Sequence, residues 1–214
     1  MKNVLAAVLV VAALGAATSA RAQVFGQFTS ASTVPANGHL FGAYVNASSN
    51  VTGGLAQLRL SFYPNVDFGF HGGLTRLDPG GSAGALTTLR LGADLRWQVN
   101  RAAEGARVDV AVGGALGIET ADRYKLVSVG PSLVASRELT IGGSRGFVPY
   151  AGLGLLFSSR DAFGSQTSDL SVPLRLGMEA RLAPELRIVA ELQLFVTDQY
   201  GDDVGLSAGV NLPF

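Results

Sequence analysis

The sequence predicts an all-β chain: an up-and-down antiparallel transmembrane β-barrel of ten strands, with eight as the alternative. Three observations carry this. Period-two alternation of apolar and polar residues recurs ten times, separated by breaks rich in Gly, Pro, Asn and Asp. Most of these segments run 10 to 14 residues. That exceeds the roughly 5–6 of water-soluble sheets and suits the roughly 9–11 that a tilted strand needs to cross a bilayer. Mean hydropathy is positive at +0.32, yet no apolar run beyond Ala17 is long enough for a membrane helix. In hydrocarbon only helices and closed barrels satisfy every backbone N–H and C=O.

The first element is a leader. Lys2 precedes an apolar run from Val4 to Ala17, followed by Ala20-Arg21-Ala22. A positive start, a short apolar stretch and a small-x-small site predict a signal peptide over 1–22, so the barrel domain is expected over 23–214. Residues 23–37 carry no clear period and are expected as a short strand, an inner plug or a loose leader.

Strands are expected at 39–48, 54–63, 65–76, 85–99, 106–119, 125–137, 146–158, 169–182, 185–197 and 203–214. The first three place Phe41, Phe62 and Phe68 on apolar faces near one rim. The fourth sets Leu89, Leu91, Ala93, Leu95 and Trp97 opposite Arg90, Asp94, Arg96 and Gln98. The fifth sets Val108, Val110, Val112, Leu116 and Ile118 opposite Arg107, Asp109 and Glu119. The sixth and seventh have polar faces thinned to Gly130, Ser132, Gly152 and Gly154. The eighth alternates without a break from Leu170 to Arg181. The ninth is imperfect, because Val189 and Phe195 fall on its polar face. The last alternates from Val204 to the terminal Phe214.

A hairpin around Ala183 is expected to pair Arg181 with Glu185, Glu179 with Arg187 and Arg175 with Glu191, all opposite in sign. An even strand number returns both ends to one side. The turns at Pro64-Asn65, Asn100–Gly105, Glu138–Arg145 and Leu182–Pro184 then share a rim, where the aromatics form a girdle.

Alternation alone does not say which face is outside. The polar faces are rich in Gly, Ala and Ser, as a cramped lumen requires. Beyond the leader, Lys125 is the single lysine and the remaining cations are arginines, whose planar fork suits buried carboxylates. The polar faces are therefore assigned to the lumen, with a charge network of Arg59, Arg90, Asp94, Arg175, Glu179, Arg187 and Glu191. Ion pairs that fill a narrow tube are favoured over an open pore.

Without Lys2 and Arg21 the chain has 14 basic and 16 acidic residues, a net charge of −2, which excludes a strongly basic nucleic-acid binder. The absence of cysteine leaves no disulfides to hold an exported fold together. His71 and Asp67 share a polar face and His39 stands at a strand foot, but no serine or rim aspartate completes a hydrolytic set; His71 is read as lumen filling and no catalytic residue is assigned. Asp161, Asp169, Asp198, Asp202 and Asp203 match no calcium-loop spacing and are read as solvated loop acids, so no metal site is assigned. Gly113-Gly114 and Gly152-Leu153-Gly154 lie inside strands, so no phosphate loop is read there.

With its leader, alternating strands and terminal Phe214, the chain resembles the small bacterial outer-membrane barrels, the broad OmpA- and OmpW-like group. The resemblance implies that Phe214 is the signal read by the barrel assembly machinery, that the protein sits in the outer membrane among lipid and lipopolysaccharide, and that it is a monomer without a cofactor. The expected role is non-enzymatic, either structural or passing small solutes. The alternatives are a hydrolase with a lumen or rim site, and a soluble exported barrel that binds a ligand.

Overall fold

A computed structural model describes residues 27–48, 51–77, 84–141, 145–162, 164–197 and 203–214. The leader over 1–22 and the acids Asp198 and Asp202 lie outside the described residues. The described strands are β1 (His39–Ser48), β2 (Val51–Tyr63), β3 (Val66–Leu77), β4 (Leu86–Asn100), β5 (Asp109–Ala121), β6 (Tyr124–Ser136), β7 (Leu139–Ile141), β8 (Arg145–Gly154), β9 (Leu156–Ala162), β10 (Ser165–Ala183), β11 (Leu186–Thr197) and β12 (Asp203–Pro213).

Two pairs of these segments are single strands interrupted opposite a proline. β6 and β7 keep one register against β8, from Ser136↔Tyr150 to Leu139↔Phe147. The break falls where Arg137 meets Pro149: Arg137 N donates to Pro149 O at 3.2 Å, but proline has no N–H to return the bond. β8 and β9 break in the same way at Leu155, whose N–H donates to Pro131 O at 3.1 Å. A Cβ on the adjoining Gly130 would lie 1.7 Å from Leu155 O, so only glycine fits there.

Counted through these interruptions, ten antiparallel strands follow one another around a ring, and β12 pairs with β1 from Leu40↔Pro213 to Ser48↔Gly205. Reciprocal bonds between His39 and Phe214, 3.1 and 3.0 Å, extend the closing seam to the chain end. The barrel is thus closed with ten strands, not eight, and no open edge remains along this seam. Positive φ at Asn65, 66°, fits the tight turn between β2 and β3, since Asn tolerates the left-handed region.

The faces are inverted relative to a water-soluble barrel. In β4, Leu89, Leu91, Leu95 and Trp97 are exposed on the outside, whereas Thr88, Arg90, Asp94, Arg96 and Gln98 are buried inside. The same holds around the ring, where Phe70, Leu116, Val129, Leu176 and Leu206 face outward. Phe41, Phe62, Tyr63, Trp97 and Phe214 stand exposed near the rim where β1 begins and β12 ends, the rim of the ladder's termini, and Phe157 is the exposed phenylalanine of β9. This arrangement excludes the soluble-barrel alternative.

One expected register is wrong. β10 and β11 pair as Arg175↔Gln193, Gly177↔Glu191, Glu179↔Val189 and Arg181↔Arg187, with a bulge between Arg181 and Ala183. The turn places Ala183 opposite Leu186, three places from the charge-matched alignment, and the extra residue at Leu182 takes back one, so the ladder runs two places off. Val189 and Phe195, which spoil the alternation of the ninth segment, are buried in the lumen.

Candidate functional site

The lumen is filled from the rim of the termini upward by an element that carried no period in the sequence. Residues 27–34 run inside the tube, with Gln27, Phe28, Thr29, Ser30, Ala31 and Val34 all buried. Phe28 stacks on Tyr44 with ring centroids 4.2 Å apart. Around Phe28 and Ala31 lie Leu55, Val134, Tyr150 and Val189, an apolar nest inside an otherwise polar tube. Burial of a phenylalanine of this kind contributes about 1.5–3 kcal/mol.

The backbone of this segment has no strand partner, so wall side chains satisfy it. Ala31 N donates to Ser136 Oγ at 3.0 Å, Thr33 N to Gln98 Oε1 at 3.2 Å and Val34 N to Asp67 Oδ2 at 3.0 Å. Arg96 donates to Ser30 O and to Thr29 Oγ1, both at 2.6 Å, and Asn211 Nδ2 donates to Phe28 O at 3.0 Å. Of the three possibilities for residues 23–37, the described part is the inner plug.

Arg96 also belongs to the main charge cluster. Arg59 is fully buried and holds Asp94 through two bonds, 3.0 and 2.6 Å, and Asp67 through a third at 2.6 Å. Arg96 grips Asp67 with bonds of 3.1 and 2.7 Å. Two guanidinium groups and two carboxylates thus neutralise one another across β2, β3 and β4. In a dry interior such a set is tolerable only when paired and fully bonded. Closer to the opposite rim, Arg90 pairs with Glu119 at 2.5 Å, and Thr88 donates to the same carboxylate at 2.5 Å.

The β10–β11 residues behave differently from their predicted pairing. Arg187 reaches Glu179 at 3.0 Å by a diagonal contact, while Arg181 turns to Glu138 at 2.8 Å. Glu191 accepts from Tyr150 Oη at 2.7 Å and from Gln193 Nε2. Arg175 makes no ion pair among the described residues; Gln27 Oε1 stands 3.5 Å from its Nη2. The predicted Arg175–Glu191 pair is therefore absent, because the register that starts from Ala183↔Leu186 at the turn places Glu191 opposite Gly177. His71 lies 3.9 Å from Asp94 without a hydrogen bond, and His39 stacks on Phe214 at the rim.

Sequence reasoning placed Arg59, Arg90, Asp94, Arg175, Glu179, Arg187 and Glu191 in the lumen but left Asp67, Arg96 and Glu119 out of the network. The signal was present: Asp67↔Arg96 and Arg90↔Glu119 are direct cross-strand partners of opposite sign. Beside the inner segment a cavity of about 500 Å³ opens at the rim of the termini. Thr29, Glu179, Arg187, His39 and Phe214 line it, between the inner segment and β10, β11, β12 and β1.

No protein-family profile matches the sequence, and no curated protein matches it. Among solved structures the chain is similar in fold to an outer membrane channel from Pseudomonas putida F1, with a TM-score of 0.52 and 11% identity over 90% of this chain and 100% of that one. The beta domain of a Bordetella autotransporter gives a TM-score of 0.49 with 12% identity, over 84% of this chain and 100% of that one. LpxR from Salmonella typhimurium gives 0.49 with 9% identity, over 81% of this chain and 99% of that one. No sequence match singles out the OmpA- and OmpW-like proteins. What the chain shares with its neighbours is the closed antiparallel architecture of bacterial outer-membrane barrels.

Proposed function

We propose that the protein is an integral outer-membrane barrel, non-enzymatic, that passes small polar solutes through a lumen closed in this conformation by residues 27–34. The observation that carries the reading is what fills the tube. A purely structural barrel of this size can close its lumen with wall side chains alone. Here residues 27–34, which lie outside the strand ladder, do so, donating to Asp67, Gln98 and Ser136, accepting from Arg96 and Asn211, and bordered by a cavity. The outward leucines, valines and phenylalanines suit contact with the lipid and lipopolysaccharide of an outer membrane, the protein acts as a monomer, and Phe214 serves as the recognition residue for the assembly machinery. No cofactor enters this role.

Planar-bilayer recording tests the proposal on the purified full chain and on a variant lacking residues 27–34. The full chain is expected to conduct rarely and in brief openings, and the deletion variant to conduct steadily. Absence of conductance from both, with heat-modifiable gel mobility confirming folded barrels, would overturn the passage role. A structural role would then stand, favoured by the ion-pair cluster that ties β2, β3 and β4 together.

A further inference from the structure

At mid-depth the lumen wall divides into two unlike halves. Over β10, β11, β12, β1, β2 and β3 it presents Arg175, Gln193, Ser207, Asn46, Gln57 and His71. Each lies five to eight residues from its strand's end on the rim of the termini. The first five residues are at most 5% exposed, and the His71 side chain is 6% exposed. They include three direct cross-strand pairs, Arg175↔Gln193, Asn46↔Ser207 and Gln57↔His71, with Tyr44↔Leu55 falling between Asn46 and Gln57 on β1 and β2. At the same depth β4, β5, β6 and β8 offer Gly92, Ala115, Gly117, Gly130 and Gly152, and the polar Asp94, Ser128 and Tyr150 among them are already bonded, to Arg59, Ser158 and Glu191.

The row is also where hydrogen bonding is incomplete. Both amide atoms of Asn46 and of Gln57 lack a partner among the described residues. So do both ring nitrogens of His71, Ser207 Oγ, Gln193 Oε1 and Arg175 Nη1. Buried polar groups are nearly always bonded, because leaving one unpaired forfeits its hydration without return. The carboxylates of Asp67, Asp94 and Glu119, by contrast, are each paired with arginine.

We propose that this half-wall is a binding site for a small uncharged polyhydroxyl solute of the polyol or monosaccharide type. Two primary amides, a hydroxyl and an imidazole supply donors and acceptors side by side. A solute whose every hydroxyl both gives and accepts a hydrogen bond matches that set. Arg175 carries the one full charge of this row, and the Glu191 carboxylate, two places away in the β10–β11 register, already accepts from Tyr150 and Gln193. An anionic solute would meet Glu191 and Asp94, and a cationic one Arg175 and Arg59. The site rests on the passage reading for its route of access, but not for binding itself.

Two measurements on the full chain separate these dependencies. In detergent, erythritol is expected to raise the unfolding midpoint of the protein dose-dependently, whereas sodium glutamate at equal osmolality shifts it far less. In proteoliposome swelling, erythritol is expected to enter faster than glutamate or lysine. Gln57→Leu and Asn46→Leu, checked for folding by heat-modifiable mobility, should each weaken the erythritol effect roughly tenfold, the scale of two unmade hydrogen bonds. A midpoint shift without swelling would retain the site and defeat the passage reading. Swelling with no preference for erythritol, unchanged in both variants, would defeat the site and retain the passage reading. If erythritol and glutamate shift the midpoint alike, the site is also overturned.

Discussion

At the scale of single residues, the lumen is held by charges that cannot be removed one at a time. Arg59 sits between Asp67 and Asp94 with bonds of 2.6 Å to each. Arg59→Met leaves Asp94 without its arginine in a dry tube, and breaking a buried pair in this way costs about 3–5 kcal/mol. Urea unfolding of the folded protein in detergent should register that loss. Replacing Arg59 and Asp94 together by apolar residues of similar volume should cost much less, because no uncompensated charge is left behind, although Asp67 then relies on Arg96 alone. If the single and double variants unfold alike, the ion pair does not hold this part of the wall. The lumen glycines belong to the same scale. A Cβ on Gly92 would lie 2.1 Å from His71 Nε2, and one on Gly177 would lie 2.1 Å from Tyr150 Cζ. The rings lie over bare backbone on the neighbouring strand. Gly177→Ala must therefore push Tyr150 off Glu191, and it is expected to destabilise the barrel by about 1–3 kcal/mol in the same assay.

At the scale of elements, the inner segment makes the sharpest structural claim, and a cross-link tests it. The chain has no cysteine, so Ala31→Cys with Ser136→Cys introduces the only two thiols. Ala31 N lies 3.0 Å from Ser136 Oγ, and mild oxidation of the folded protein should join them in high yield, visible as a reducible mobility change. Ala31→Cys with Ser128→Cys should not cross-link, because Ser128 lies eight residues along the same face of β6, roughly 26 Å away. Equal yields from both pairs would mean that the segment does not rest where it is described. The segment also shows where sequence reading stopped. The strands were legible because their side chains report the pleat directly: the Leu89–Trp97 and Arg90–Gln98 faces separate by inspection. Residues 27–34 have no period to report, since wall side chains, not a strand ladder, satisfy their backbone. The β10–β11 register failed for a related reason. The turn that sets Ala183 opposite Leu186 and the bulge at Arg181/Ala183 are backbone events, and the charges tolerate the register they set, with Arg187 reaching Glu179 diagonally and Arg181 finding Glu138. Charge matching alone does not distinguish the two alignments, whereas Asp67↔Arg96, on β3 and β4 paired without a bulge, and Arg90↔Glu119, beyond the β4–β5 irregularity at Gln98/Asn100, are direct pairs of opposite sign that the sequence carries.

At the scale of the whole molecule, everything depends on which solvent meets the outer face. Leu176 and Leu182 share the outward face of β10 with similar exposure, 55% and 50%, but Leu176 lies mid-strand and Leu182 at the rim of the termini. In a bilayer an arginine at mid-depth on the lipid side costs about 2–4 kcal/mol, falling to about 0–1 near the interface. Leu176→Arg should therefore lower the folding free energy in vesicles by several times more than Leu182→Arg. Reversible folding into thin-bilayer vesicles, titrated with urea, gives both values on one scale. In water the comparison inverts its meaning: an arginine added to an exposed surface far from any partner changes stability little at either position. Equal and small effects would show that these leucines never meet acyl chains, leaving an exposed apolar belt without a solvent to suit it. A depth-graded penalty would make the apolar belt, the inward arginines and the closed ten-stranded ladder consequences of one fact, that the hydrocarbon lies outside the tube.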